Sequence, residues 1–256
     1  MNPLRRHETI MEMLLAQREV TVAELSERLQ VTGKTVREDL AKLEERGLLA
    51  RIHGGAVLAQ DGQLGILTAK EPLERHHAEK AAIAALALTL VKPGAVIALD
   101  GGSTTLEIAR LLDNEPLTVV TNDVRIIAEL APKDRIQLVV PGGYRVRNML
   151  AGAEAAQYVR RLNIQTAFLS ATGVHPDNGF TIYTGDLLEL KRAFVETARA
   201  VYAVADHSKF GQSALFTFAR LDEATAILTD ADADEEATRP LRAAGIAVWN
   251  GARPSS

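Results

Sequence analysis

Apolar residues recur at helical spacing from the start of the chain. Ile10, Met11, Met13 and Leu14 give one face of a helix over residues 3 to 17. In REVTVAELSERLQ, Thr21 followed three residues later by Glu24 has the capping-box pattern. Leu25 and Leu29 then form the inner face of a second helix. In QVTGKTVREDLAKLEERG, Thr32 reads as an N-cap, Val36, Leu40 and Leu43 as core positions, and Gly47 as a C-cap. The turn at Gln30-Val31 is short, so the second and third helices make a helix-turn-helix. LLARIHGGAVL reads as a hairpin, or wing: Leu48 to Ile52, a turn at Gly54-Gly55, and Ala56 to Leu58.

Past residue 80 the pattern changes. Apolar runs at 95–99, 117–121, 136–140, 166–170, 200–205, 225–229 and 246–249 are separated in most cases by helical patterns, at 81–91, 104–112, 123–131, 152–162, 186–198 and 235–244. Continuous apolar strands with helical crossovers predict an open, mostly parallel sheet covered on both faces. The expected fold is therefore α/β, with a winged helix-turn-helix at 1–58, a linker at 59–72 and an α/β domain at 73–256. The segment AQDGQLGILTAKEPLERHHAEK starts polar and turns helical near Leu73. Adjacent His76 and His77 point to different sides of that helix, which predicts solvated side chains and not a chelating pair.

Composition narrows the class. The 256 residues are 47% hydrophobic and 24% charged, ordinary for a globular protein with room for two cores. No apolar run approaches a membrane span, and Glu8 and Glu12 interrupt any secretory core. The absence of cysteine removes disulfides, thiolate metal ligands and cysteine nucleophiles, and fits a cytoplasmic protein. A net charge of −4 excludes a globally basic nucleic-acid binder. Residues 1 to 58 carry nine basic and nine acidic side chains, so bulk charge gives no vote for DNA there. The case for DNA rests on placement. Thr32, Lys34, Thr35, Arg37 and Glu38 lie at the N-terminal end of the third helix, the end that enters the major groove in a helix-turn-helix. Arg can read guanine, and Lys and Thr can reach bases or phosphates. Arg51 and His53 on the wing could touch the backbone. Periodicity alone would also allow a dimerisation or docking module.

In open parallel sheets ligands bind at the carboxyl ends of the strands. Here those ends carry Asp100-Gly101-Gly102-Ser103-Thr104-Thr105, Asn122-Asp123, Pro141-Gly142-Gly143-Tyr144-Arg145, Ala171-Thr172-Gly173 and Asp206-His207-Ser208-Lys209. Glycines, hydroxyls and a helix N-terminus at 101–105 suit a phosphate, and Lys209 supplies a counter-charge. The loop is neither G-x-G-x-x-G nor a P-loop, since no Lys follows a second Gly. An ordinary capped strand-to-helix turn is the alternative.

The N-terminal segment TVAELSERLQVTGKTVREDLAKLEERGLLARIHGGAVL resembles the DeoR family of bacterial sugar-metabolism regulators, through Val31-Thr32, TVREDL, Leu43-Glu44, Gly47 and RIHGGA. The family usually has two adjacent arginines where this chain has Arg37-Glu38. A carboxylate there can accept from cytosine or pair with a base such as Lys42, and implies an altered operator. LDGGSTT, VVTND, PGGYRVRN, ATGV and ADHSKFG resemble the family's sensor domain, which is related to ribose-5-phosphate isomerase and glucosamine-6-phosphate deaminase. The resemblance implies that Gly102, Ser103, Thr104, Thr105 and Lys209 grip a phosphate. It implies that Asp100, Asn122, Gly143, Arg145 and Asp186 face the sugar. His207 stands where a small residue is usual.

An isomerase needs a base beside the substrate carbonyl and an acid at its oxygen. Asp100, His175, Asp177, Asp186 and Glu189 are candidates. The deaminase segment that carries a catalytic His has Phe180 after Asn178-Gly179 here, and HPDNG reads as a surface turn. No cofactor and no metal are expected. Together these features predict a regulator, a repressor of a sugar or sugar-alcohol operon, with operator DNA and a phosphorylated sugar as partners. It would not contact membranes and would act as a dimer or tetramer. The competing reading is a sugar-phosphate isomerase or deaminase with an accessory helical domain.

Overall fold

A computed structural model describes residues 2–17, 19–45, 48–58 and 76–251. The N-terminal module comprises α1 (Pro3–Gln17), β1 (Glu19–Thr21), α2 (Val22–Leu29), α3 (Gly33–Glu45), β2 (Leu49–Ile52) and β3 (Gly55–Leu58). Ile10, Met11 and Leu14 of α1 pack with Leu25 and Leu29 of α2 and with Val36, Leu40 and Leu43 of α3. The capping box forms: the Thr21 hydroxyl accepts from the Glu24 N–H at 3.2 Å, and Glu24 accepts from the Thr21 N–H at 2.8 Å. Gln30 ends α2 in the left-handed region, with φ 55°. Thr32 caps α3 by accepting from the Thr35 N–H at 3.3 Å. Gly47 lies outside the described residues.

The wing differs from expectation in two ways. Its turn is His53-Gly54, with Gly54 at φ +84°, and Gly55 is already in the return strand. It also has a third strand, in the order β1–β3–β2. Three residues of β1 are too few to show a period of two, and this hidden strand explains Gly55. A Cβ there would lie 2.1 Å from the Val20 carbonyl oxygen.

The second domain is built on seven parallel strands: β4 (Val96–Leu99), β5 (Leu117–Thr121), β6 (Ile136–Val139), β9 (Ile164–Ser170), β12 (Ala198–Val204), β14 (Ala226–Leu228) and β15 (Val248–Trp249). Their order is β15–β14–β12–β9–β4–β5–β6. Its helices are α4 (His77–Leu88), α5 (Ser103–Leu111), α6 (Val124–Leu130), α7 (Ala153–Val159), α8 (Leu188–Thr197) and α9 (Glu235–Ala243). Alternation along each strand sorts residues between two faces. Ile97, Leu99, Val119, Phe168, Val204 and Leu228 join the core under α4, α5 and α6. Ala98, Val120, Ala167, Leu169, Ala203 and Ile227 join the core with α7, α8 and α9. The linker 59–72 and the helical onset near Leu73 lie outside the described residues.

Two small antiparallel sheets stand apart from the large one. One is a hairpin of β7 (Tyr144–Val146) and β8 (Met149–Ala151). The other has β11 (Gly179–Ile182) between β10 (Gly173–His175) and β13 (Phe216–Ala219). Among the described residues no helix is long and apolar enough to cross a membrane.

Candidate functional site

The two sets of site residues lie in different parts of the molecule. On α3, Lys34 and Glu38 are exposed and 4.0 Å apart, and Arg37 is exposed beside them. Thus Glu38 faces Lys34, one turn back, and not Lys42. An exposed pair at this distance contributes little. Thr32 and Thr35 share a hydroxyl contact of 3.1 Å at the helix start. On the wing, His53 is exposed at the turn. Arg51 is held by Glu44, which accepts from its Nε at 2.6 Å and its backbone N–H at 2.9 Å.

Asp39 was not foreseen. It is buried, three residues after Val36 and four before Leu43, on the inner face of α3. That spacing was the available signal. Arg6 donates to it through Nε at 2.7 Å and Nη2 at 3.0 Å, and His7 Nε2 lies at 3.0 Å. Burial acts to raise the Asp39 carboxyl, but the hydrogen bonds from Arg6 and His7 prevail and hold it below its ordinary range. Helix α3 is thereby fastened to α1 through a charged, largely buried contact.

At the carboxyl edge of the large sheet, β4 runs into α5. The first bond of that helix runs from the Leu106 N–H to the Gly102 carbonyl at 3.1 Å. The preceding N–H groups are those a helix start leaves without helical partners. Ser103 is half-buried, and Thr104 and Thr105 are buried. The Thr105 hydroxyl donates within the loop, to the Asp100 and Gly102 carbonyls at 2.8 and 3.0 Å. Gly102 is required by close approach, and Gly101 is covered by the flexible Met149 side chain. A Cβ on Gly101 would stand 2.1 Å from the Met149 sulfur, and one on Gly102 2.6 Å from Ser170 Cβ.

Lys209 follows β12 in a short turn. Strand β9 lies between β12 and β4, so the two strand ends are roughly 10 Å apart, two strand spacings. One small anionic ligand can span that gap. Beside Lys209, His207 donates Nδ1–H to Asp230 at 2.7 Å. Burial opposes its protonation, but that bond and the charges of Asp230, Asp206 and Asp232 raise its pKa. The His207 ring meets the His76 ring edge-on at 5.6 Å. His76 is therefore not the solvated side chain expected: it is half-buried, with Nδ1 3.0 Å from Glu79. His77 is exposed.

Next to the α5 loop is a narrow cleft lined by Asp100, Gly101, Asn122, Met149, Leu187, Leu190, Lys191 and Phe194. Lys191 is the residue sequence reasoning missed here. Its ammonium is buried, pairs with Asp100, donates to the Ser170 carbonyl at 2.7 Å and lies 4.6 Å from the Phe218 ring centroid. Asp100 also accepts from the Ser170 N–H at 2.9 Å. Complete burial pushes the Asp100 carboxyl up, against the opposing pull of Lys191. Asn122 Nδ2 donates to the Leu150 carbonyl at 3.0 Å, while Asn122 Oδ1 is buried with no hydrogen-bond partner among the described residues.

The other sugar-facing candidates are not gathered here. Gly143 packs against β8, where a Cβ would lie 2.1 Å from the Ala151 oxygen. Arg145 is exposed, and alternation puts it on the opposite side of the hairpin from Tyr144. Asp186 accepts from the Tyr144 hydroxyl at 3.1 Å and lies 3.7 Å from Arg5. Of the candidate acids and bases, Asp177 and Glu189 are exposed. His175 Nδ1 accepts from the Asp177 N–H at 3.1 Å within its own turn. Asp100 alone among them lines the cleft.

The DeoR-like helix-turn-helix domain matches residues 6–61, and the DeoR C terminal sensor domain matches residues 75–231. The chain is 36% identical over 249 residues to an uncharacterized HTH-type transcriptional regulator, YgbI, of Escherichia coli (strain K12), covering 94% of this chain and 95% of that protein. It is 35% identical over 230 residues to the transcriptional repressor AccR of Agrobacterium fabrum, covering 88% of each. Among solved structures, ribose 5-phosphate isomerase A of Methanocaldococcus jannaschii is 20% identical, with a TM-score of 0.38, over 51% of this chain and 52% of that one. A winged helix-turn-helix ahead of a parallel α/β sensor domain defines a DNA-binding transcriptional regulator, and these relatives are named as regulators, not enzymes. The chain belongs to the DeoR family.

Proposed function

We propose that this regulator represses a sugar or sugar-alcohol operon in the cytoplasm, and that a phosphorylated sugar bound at the carboxyl edge of the large sheet controls its grip on operator DNA. The observation that supports the reading is the strand order, which puts the α5 N-terminus, with its helix-start N–H groups, and the turn that carries Lys209 at strand ends on either side of β9. Lys209 is half-buried and forms no ion pair among the described residues. A helix start and one uncommitted ammonium within the span of a small molecule suit a phosphate. The phosphate contacts are Gly102, Ser103 and Thr104, with Lys209 as the counter-charge and Thr105 bracing the loop. Asn122 Oδ1 accepts from a ligand hydroxyl. Asp100 shapes the cleft through Lys191.

On DNA, Arg37, Lys34, Thr32 and Thr35 enter the major groove with Glu38 beside them, and His53 and Arg51 lie along the backbone. The module and the α/β domain divide near the 59–72 linker, and a two-fold assembly would present two recognition helices to two half-sites.

Two substitutions at the sensor end test the assignment. Lys209→Ala and Thr104→Val are each expected to abolish the ligand's effect on operator binding while ligand-free binding, followed by fluorescence anisotropy, is retained, since both lie in the α/β domain and not in the helix-turn-helix module. A ligand effect that survives both refutes the site. At the DNA end, Arg37→Ala is expected to weaken operator binding by about 1–3 kcal/mol and to relax selectivity at one base pair. An equal loss on every sequence would make Arg37 a phosphate contact.

A further inference from the structure

The β7–β8 hairpin forms one wall of the cleft through Met149. The Met149 side chain lies beside Gly101 and lines the cleft with Asn122, so a ligand that reaches Asn122 presses on the hairpin through Met149. The hairpin is seated by the Leu150 N–H on the Asn122 carbonyl at 2.8 Å and the Val124 N–H on the Asn148 carbonyl at 2.8 Å. Asn148 Nδ2 adds a bond to Asp123 at 2.6 Å. Asn122 Oδ1 beside this seat, with no hydrogen-bond partner among the described residues, is an acceptor that the hairpin leaves unserved.

The same hairpin touches the segment that holds the DNA-binding module. Tyr144 donates to Asp186, and Arg5 of α1 approaches the same carboxylate oxygen. One residue earlier, the Gly185 N–H donates to Glu8 of α1 at 3.1 Å. The fit is tight: a Cβ on Gly185 would lie 2.6 Å from that Glu8 oxygen and 3.0 Å from the Phe216 ring. Between Arg5 and Glu8 on the same helical turn, Arg6 and His7 hold Asp39 of the recognition helix. One turn of α1 thus contacts the sensor domain with its outer pair of residues and α3 with its inner pair.

We infer that this turn of α1 carries the state of the cleft to the recognition helix, with Asp186 as the shared contact. A ligand that displaces the hairpin withdraws Tyr144 from Asp186. The 185–186 segment then loses its brace, and Arg5 and Glu8 let α1 shift together with α3. The inference rests on the cleft as the effector site and names the residues through which occupancy is felt. It is a contiguous set of contacts between the cleft and α3, and coupling along it is what exchange at its two ends measures.

Hydrogen exchange on the full-length chain, without ligand or DNA, tests it from both ends. Gly185→Ala crowds Glu8 and is expected to speed exchange about fivefold at the Leu150 and Val124 amides as well as in α1. Tyr144→Phe is expected to speed α1 amides by a similar factor, the effect of losing one hydrogen bond. Amides of β9 serve as the reference, so that a general loss of stability cancels. The inference is overturned if Gly185→Ala perturbs α1 while the hairpin amides hold their rates, or if Tyr144→Phe perturbs the hairpin alone. Neither a phosphorylated sugar nor an operator enters the experiment, so its failure leaves the proposed phosphate site standing. Conversely, failure of that site leaves the exchange result standing.

Discussion

Lys191→Met is expected to destabilise the α/β domain by about 3–5 kcal/mol, the cost of removing one partner from a buried ion pair. The side chain is 6% exposed and Asp100 is 2% exposed, so water cannot replace the lost ammonium. Methionine keeps the volume and the contact with Phe218, which isolates the charge. Asp100 would then be a buried carboxylate with the Ser170 donors and no counter-ion, and its pKa would rise further. The sign with pH follows. A carboxyl whose folded pKa is raised is harmless below its unfolded value, about 3.9, and costs stability as pH rises through the folded value. The deficit of the variant should therefore shrink in acid. Urea unfolding at several pH values measures this. Asp100→Leu combined with Lys191→Met should recover much of the loss, because two apolar side chains leave no orphaned charge. A single variant as stable as wild type at neutral pH would mean the pair is not isolated from water.

The second large effect is expected at Asp39, buried in the N-terminal module. Asp39→Ala removes the carboxylate that Arg6 and His7 share, in a contact where Asp39 is 1% exposed. The module should lose about 3 kcal/mol, and operator binding should fall with it as α3 is no longer fastened to α1. In the unsubstituted protein the same contact sets an acid limit. Asp39 is held below its ordinary range, so its contribution is complete above the unfolded value of about 3.9 and is lost as pH falls through the lower, folded value. Thermal unfolding of the variant against wild type, followed from pH 7 downward, should show two curves that converge in acid. Parallel curves would assign Asp39 no ionic role.

These two pairs mark where sequence reasoning ended. Periodicity found the elements that repeat: the seven strands of the large sheet, the three helices of the module and the capping box at Thr21. Each of these is a pattern over several residues. The strand-end loop at 101–105 was legible because glycines, hydroxyls and a helix start carry a local chemical meaning. Asp39 and Lys191 sit among apolar helix positions, and their partners lie 33 and 91 residues away in sequence. A lone charge on an inner face signals a buried pair without naming its partner. β1 and β7–β8 were missed because strands of three residues show no period. That hairpin decides which candidates share the cleft. It brings Met149 to Gly101, sends Tyr144 to Asp186 and leaves Arg145 exposed.

The proposed control of DNA binding by a phosphorylated sugar at the carboxyl edge of the sheet makes a sharp prediction. The direct measurement uses an operator fragment selected by the protein from genomic DNA. Its affinity is followed by anisotropy against a panel of sugar phosphates and the same sugars without phosphate. At least one phosphorylated sugar should weaken operator binding by about tenfold or more, within the usual 1–3 kcal/mol of allosteric coupling, while its unphosphorylated counterpart has no effect. A response of equal size to both forms, or release of DNA by unphosphorylated sugars alone, would contradict it.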